Sequence, residues 1–465
     1  MDEDFTFEPR MSPSDALMWA IEKDPMLRST ITTVTVLDRA PDRGRLRRRI
    51  DRVSRVIPRL RQRVRGHPYS IAPPRWETDP NFDLSYHLRW MRAAGAGSLR
   101  EVFDIAEPIA MQGFDRARPL WEFVIVEGLD DDKAAVITKI HHSITDGVGG
   151  VKLQMELLDL ERDPELEPPL PDTPEIVVLS EAERMAAALT YEAGRAARAT
   201  QDVVGSLFRS IGRATGDPVG VGLEALGTAT SVVRVLSPAT QPLSPLMTGR
   251  SLSVRFDTLT LPLSTAKAAA RVSGGKLNDA FVAGIAGGMA RYHRHHGLDP
   301  EAVRMSMPIS IRSAGNETKA GNQFAPARFP VPIRSDDPIA LMTSVREVVA
   351  AARAEPALAL TEPLAGVLTR LPTSATTGLF GAMLRGIDVV TSNVPGAPVP
   401  VYLGGGRVEA QIPFGPMAGA ATNLTLLSYI DDLNIGINTD PAAIPDPEVF
   451  VDCLRDSFDE ILKVG

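Results

Sequence analysis

The chain has almost no cysteine. Cys453 is the one thiol in 465 residues, so no internal disulfide and no four-cysteine zinc site can form. That usage suits a reducing compartment. A basic excess is missing as well: 50 lysines and arginines against 58 acidic residues leave a formal charge of −8. This argues against a nucleic-acid binder, which must neutralise phosphates. No run of about 18 uncharged apolar residues occurs, so no transmembrane helix is expected. The nearest stretch, Ala280 to Ala290, is too short and carries three glycines. Met1 to Pro9 is acidic, with no basic or apolar region, and predicts no secretory signal. There is no G-x-S-x-G nucleophile elbow and no phosphate-cradling G-x-x-x-x-G-K-[ST]. The expectation is a cytoplasmic protein, free or held peripherally at a membrane.

What is present is a globular composition. Hydrophobic residues make up 44% and mean hydropathy is −0.03, enough for one or two large cores at this length. The pattern predicts two α/β units. In the first, Ser12 can cap a helix starting at Pro13, and Thr30 to Leu37 is β-branched at almost every position, as strands prefer. Trp121–Glu127 and Ala134–Ile140 read as strands joined by a turn. Pro, Asp and Glu from Glu161 onward mark a linker, followed by an alanine-rich amphipathic helix over Ser180–Arg213 and a Gly- and Pro-rich crossover. The second unit opens near Ser251, with helices expected over Leu263–Val272, Asn278–His293 and Pro447–Leu462 and strands between them. The organisation expected is an N-terminal unit over 1–160, a linker and helical crossover over 161–250, and a C-terminal unit over 251–465.

The most informative stretch runs from Ile140 to Gly150, IHHSITDGVGG. A strand end followed by a glycine-rich loop puts side chains at a sheet edge, where a cleft can form. Consecutive strand residues face opposite ways, so His141 and His142 do not readily share one metal ion. One histidine acting as acid/base, with Asp146 holding the loop and Gly147 allowing close approach, is one reading. A buried structural histidine with a turn aspartate is the other, and spacing alone leaves both open. With a candidate base and no evident covalent nucleophile, direct transfer to a substrate hydroxyl fits better than a ping-pong scheme. Eleven arginines between Arg43 and Arg65, against Asp42 and Asp51, read as a solvated helix face or as an attractor of anionic lipid or phosphate. Gly220-Val221-Gly222-Leu223-Glu224-Ala225 has dinucleotide-motif spacing but follows no convincing strand.

Several motifs in order make the chain resemble the bacterial wax ester synthase/acyl-CoA:diacylglycerol acyltransferase family. They are His141-His142-x-x-x-Asp146-Gly147, Pro119-Leu120-Trp121, Leu277-Asn278-Asp279, Met11-Ser12-Pro13-x-Asp15 and Thr391-Ser392-Asn393-Val394-Pro395-Gly396. The resemblance implies two chloramphenicol-acetyltransferase-like units with an active-site tunnel between them. It implies transfer of a fatty acyl group from coenzyme A to diacylglycerol or a long-chain alcohol, with acyl-CoA as co-substrate and no metal or prosthetic group. Carried over by position, His142 is the general base, His141 supports it, Asp146 shapes the loop and Asn278 comes from the second unit. Gly147, Pro119, Leu120, Trp121 and Asp279 then belong to the substrate pocket. The lipid substrates further imply a peripheral membrane or lipid-inclusion surface. Two alternatives remain at this stage: a same-superfamily enzyme with another hydroxyl acceptor, and a weakly catalytic lipid-binding protein.

Overall fold

Residues 7–66, 72–144, 153–165, 169–214, 241–310, 324–355, 358, 361–371 and 373–465 are described by a computed structural model. Alternating β-branched residues build β1 (Thr30–Leu37), whose two faces are largely buried. It pairs antiparallel with β6 (Ala134–His141), which in turn forms a hairpin with β5 (Trp121–Glu127). Gly128, Asp131 and Asp132 supply the left-handed turn residues that hairpin needs. The short ribbon β2 (Gln62–Arg65) and β3 (Arg75–Thr78) stands apart, and β4 (Leu88–Arg92) adds to β5 in parallel. The second unit holds β7 (Arg255–Pro262), β8 (Ala302–Ser310), β9 (Phe324–Pro332), β10 (Val389–Val394), β13 (Thr422–Tyr429) and β14 (Asp432–Thr439). Their order is β7-β14-β13-β10-β8-β9. The mixed α/β class with two units therefore holds.

One connection was not visible in the sequence. The strands β11 (Tyr402–Leu403) and β12 (Gly406–Phe414) leave the second unit and join the first sheet, whose order is β11-β12-β1-β6-β5-β4. Val34 pairs with Ile412 across this junction, nearly 380 residues away in the chain. Helix α1 (Pro13–Ile21) is capped by Ser12, whose hydroxyl accepts the Asp15 N–H at 3.1 Å. Helix α2 (Arg43–Val56) covers one face of the first sheet with Leu46, Ile50 and Val53. Helix α3 (Leu99–Met111) covers the other with Val102, Phe103 and Ala106. There Phe414 stacks on Phe256 of β7, 3.9 Å between ring centroids, so this core spans both units.

Helix α4 (Glu181–Ala214) crosses between units, and α5 (Leu263–Val272) leads into α6 (Leu277–His295). Thirteen of the 19 residues of α6 are buried, which makes it the central helix of the second unit. It packs against α7 (Pro338–Arg353) and α8 (Pro447–Leu462), and glycines set how close α8 comes. A Cβ on Gly288 would sit 2.6 Å from Leu454 Cδ2 and 2.9 Å from its Cα. Alanine normally gains about 1 kcal/mol over glycine inside a helix. Here the clash with backbone reverses the sign, because overpacking costs roughly 1–3 kcal/mol. Gly288→Ala is expected to lower the thermal midpoint, whereas a neutral or higher midpoint would show that α8 shifts freely.

Candidate active site

The end of β6 is held from three sides. His141 N–H donates to Leu120 O at 3.0 Å, His142 N–H donates to Ser29 O at 2.9 Å, and Ile144 N–H returns to His141 O at 2.9 Å. The Pro119-Leu120-Trp121 segment is thus the strand-side anchor of the histidine pair. Trp121 itself is buried, its indole N–H donating to Leu60 O at 2.8 Å, and His87 stacks on it at 4.4 Å. It backs the site as core.

His141 is fully buried, and its tautomer follows from its partners. Ser143 N–H donates to Nδ1 at 3.1 Å, so Nδ1 is an acceptor and the proton sits on Nε2. That Nε2 lies 2.9 Å from Glu22 Oε1, and the same oxygen accepts the Ser29 N–H at 2.6 Å. Glu22 caps the C-terminal end of α1, and nothing local in the sequence connects it to residue 141. One carboxylate oxygen therefore closes a ring through Ser29, the His142 backbone and the His141 imidazole. Burial pushes the Glu22 carboxyl up, but the hydrogen bonds it accepts from His141 and from the Ser29 N–H, with Arg116 nearby, outweigh this and hold the group below its ordinary value. Glu22 is the buried partner of the histidine doublet that motif reading missed.

His142 keeps part of its surface open while lying deep in the protein mass. Burial, with a smaller contribution from His141, lowers its pKa to about 4, so at neutral pH it is an uncharged imidazole. Two residues before the doublet, Lys139 is fully buried, 3.6 Å from Glu122 Oε1 and over the Phe114 ring. Burial lowers its pKa, and Glu122 opposes this in part. Asp146 and Gly147 lie outside the described residues, as does the Gly220–Ala225 motif. The segment just beyond the motif loop is latched by α2: Arg45 meets Asp159 at 3.2 Å and Asp163 at 3.1 Å, while Arg49 pairs with Asp159 and Arg52 with Glu156. Arg55 and Arg61 both reach Asp51. Arg45, Arg49, Arg52, Arg55 and Arg61 are thus engaged in ion pairs within the protein, while Arg43, Arg47 and Arg48 stay on the exposed face of α2.

In the second unit, Asn278 and Asp279 open α6. The Asp279 carboxylate accepts the Lys276 N–H at 2.7 Å and so holds the turn that presents Asn278. Asn278 Nδ2 lies 3.6 Å from Met307 Sδ on β8. A small cleft, partly open to solvent, runs between the units. Thr30 and Thr32 of β1, Met111 of α3, Phe256 of β7 and Phe414 of β12 line it. Neither His142 nor Asn278 is in its lining. Thr30 and Thr32 are the cross-strand partners of His141 and Lys139, so the cleft ends one strand away from them on the same sheet face.

The model of the wax ester synthase/diacylglycerol acyltransferase catalytic domain matches residues 11–281, and that of the WS/DGAT C-terminal domain matches residues 320–462. A Mycobacterium tuberculosis protein bearing the name diacylglycerol O-acyltransferase is 37% identical over 463 residues, 98% of this chain and 93% of that one. The wax ester synthase/diacylglycerol acyltransferase of Marinobacter aquaeolei VT8 superposes with a TM-score of 0.63 at 21% identity, covering 97% of this chain and 98% of that one. The first condensation domain of the calcium-dependent antibiotic synthetase gives 0.61 at 17% identity, covering 97% of each chain. These likenesses give the two-unit acyltransferase fold. The chain belongs to the wax ester synthase/diacylglycerol acyltransferase family.

Proposed function

We propose that this enzyme transfers a fatty acyl group from coenzyme A to the free hydroxyl of diacylglycerol, with His142 as general base. The observation that carries the reading is the buried ring of Glu22, Ser29 and His141, which holds the backbone of His142, whose own imidazole is kept neutral by burial. A protonated hydroxyl is a poor nucleophile, and the imidazole takes its proton as the oxygen attacks the thioester carbonyl. The tetrahedral intermediate then collapses, the carbon–sulfur bond breaks, and the imidazolium returns the proton to the leaving thiolate. The products are the ester and free coenzyme A, and the histidine is neutral again. General-base assistance contributes about 10²–10⁴ in rate. The Asn278 amide and a backbone N–H of the glycine loop are the candidate oxyanion donors in this scheme. Acyl-CoA is co-substrate, and the scheme uses no metal or prosthetic group.

The acceptor is a lipid, and the protein meets it at a membrane or inclusion surface on the cytoplasmic side. No helix among the described residues is long and apolar enough to cross a membrane. Ile176, Val177 and Val178 stand 56%, 52% and 45% exposed in the linker before α4, a short apolar strip suited to an interface. Vesicle flotation tests this: the protein is expected to rise with phosphatidylglycerol-containing vesicles, and an Ile176→Asp/Val177→Asp variant to stay behind. Equal flotation of both, or of neither, contradicts it. Long-chain alcohol is the second acceptor to compare, in the assay that closes the Discussion.

A further inference from the structure

The C-terminal end of α6 carries a group of side chains that acyl transfer does not use. Gly297 adopts a left-handed φ of +70° and ends the helix, leaving His295 and His296 at the terminus. His295 is exposed and the His296 imidazole half-buried, and the loop before α8 brings Asp446 against them. His296 Nε2 is 3.0 Å from Asp446 Oδ2, and one ligand atom from each of the three residues lies within 4.8 Å of the others. In a tetrahedral zinc site with bonds of about 2.0–2.1 Å, neighbouring ligand atoms stand ~3.3 Å apart. The His296–Asp446 edge is close to that dimension, and His295 is the ligand that has to move in to complete the set.

Asp446 behaves as a ligand carboxylate does. It occupies the N-cap position of α8, where aspartate usually caps, yet its side chain makes no capping bond. One oxygen faces His296, and the other accepts the hydroxyl of the buried Tyr292. A hydrogen-bonded carboxylate fixed from behind is the outer support that metal sites use to orient a ligand. The nearby guanidiniums are occupied elsewhere, Arg294 with Asp336 at 3.0 Å and Arg291 with Glu460. The carbonyl end of α6 also favours a cation.

We propose that His295, His296 and Asp446 bind one divalent zinc-class ion, with water completing the shell. The ion staples the end of α6 to the start of α8, on the helix whose other end carries Asn278. Its role is structural and separate from the acyl-transfer site.

The test uses untagged full-length protein, stripped with EDTA and titrated with zinc chloride by calorimetry, with thermal unfolding followed in parallel. One equivalent is expected to bind, raising the thermal midpoint by about 3 °C at saturation. A His295→Ala/His296→Ala variant is expected to lose that binding. Tyr292→Phe is expected to weaken it about 10-fold, as loss of outer support does. Failure of the wild type to take up zinc saturably overturns the proposal. So does uptake that survives unchanged in the double histidine variant, since the ion then sits elsewhere.

Discussion

His142→Ala is expected to lower kcat/KM for ester formation by about 10²–10⁴, the range lost with a general base. Its fold should survive, because the turn is held by the backbone: the bond to Ser29 O uses the residue 142 N–H, which alanine keeps. The same residue sets the pH dependence. A base must be neutral, and burial with its neighbour holds the His142 pKa at about 4, below the ordinary 6.5. Lowering the pKa extends the neutral form toward acid. The rate is therefore expected to stay level from pH 7 to about 5 and then fall as pH passes about 4. An acid limb near 6.5 would instead mean that the base is solvated when the enzyme works. The depression also costs proton affinity, which the oxyanion formed alongside partly restores by stabilising the imidazolium.

Glu22→Ala is expected to cost about 10²-fold in kcat with little change in KM, the penalty of an ångström-scale misplacement at the reacting centre. The reason is that one atom, Oε1, takes both the Ser29 N–H and the His141 Nε2–H. Without it the strand end that carries His142 loses its buttress. Glu22→Gln keeps a carbonyl oxygen that can accept both bonds and should recover most of the rate. A carboxylate needed for its charge would give the opposite pattern, with glutamine as damaging as alanine. Equal activity of all three proteins would remove Glu22 from the site altogether.

Much of the fold was legible where local signals are strong. The β-branched run of β1 and the apolar β13 were readable in place, and Ser12 announced α1 through its cap. Helix α7 went unread, although Leu341, Met342, Val345 and Val349 carry helical spacing behind the Asp337 cap. Strand β9 was hidden for a different reason. Its sequence FAPARFPVP holds three prolines, which argue against a strand, but β9 is the edge of its sheet and bonds only to β8.

The site shows the same divide between local and distant information. The histidine pair and Asn278 were found from motifs, because their signature lies within a few residues. Glu22 was not, since 119 residues separate it from His141 and only the pairing of β1 with β6 brings them together. The arginines of α2 were seen as charge without partners. Their acids, Glu156, Asp159 and Asp163, lie about a hundred residues on and return only when the chain folds back. Asp279 carried a motif position whose geometry is that of a helix-capping carboxylate.

The most direct test measures coenzyme A release and ester product from a long-chain acyl-CoA, for wild type and His142→Ala. Each is assayed with dioleoylglycerol, with hexadecanol and with no acceptor. The account predicts release that depends on dioleoylglycerol, yields triacylglycerol in equal amount and collapses in the variant. Release that needs no acceptor would make the protein a thioesterase, and undiminished transfer by His142→Ala would contradict the assignment of the base.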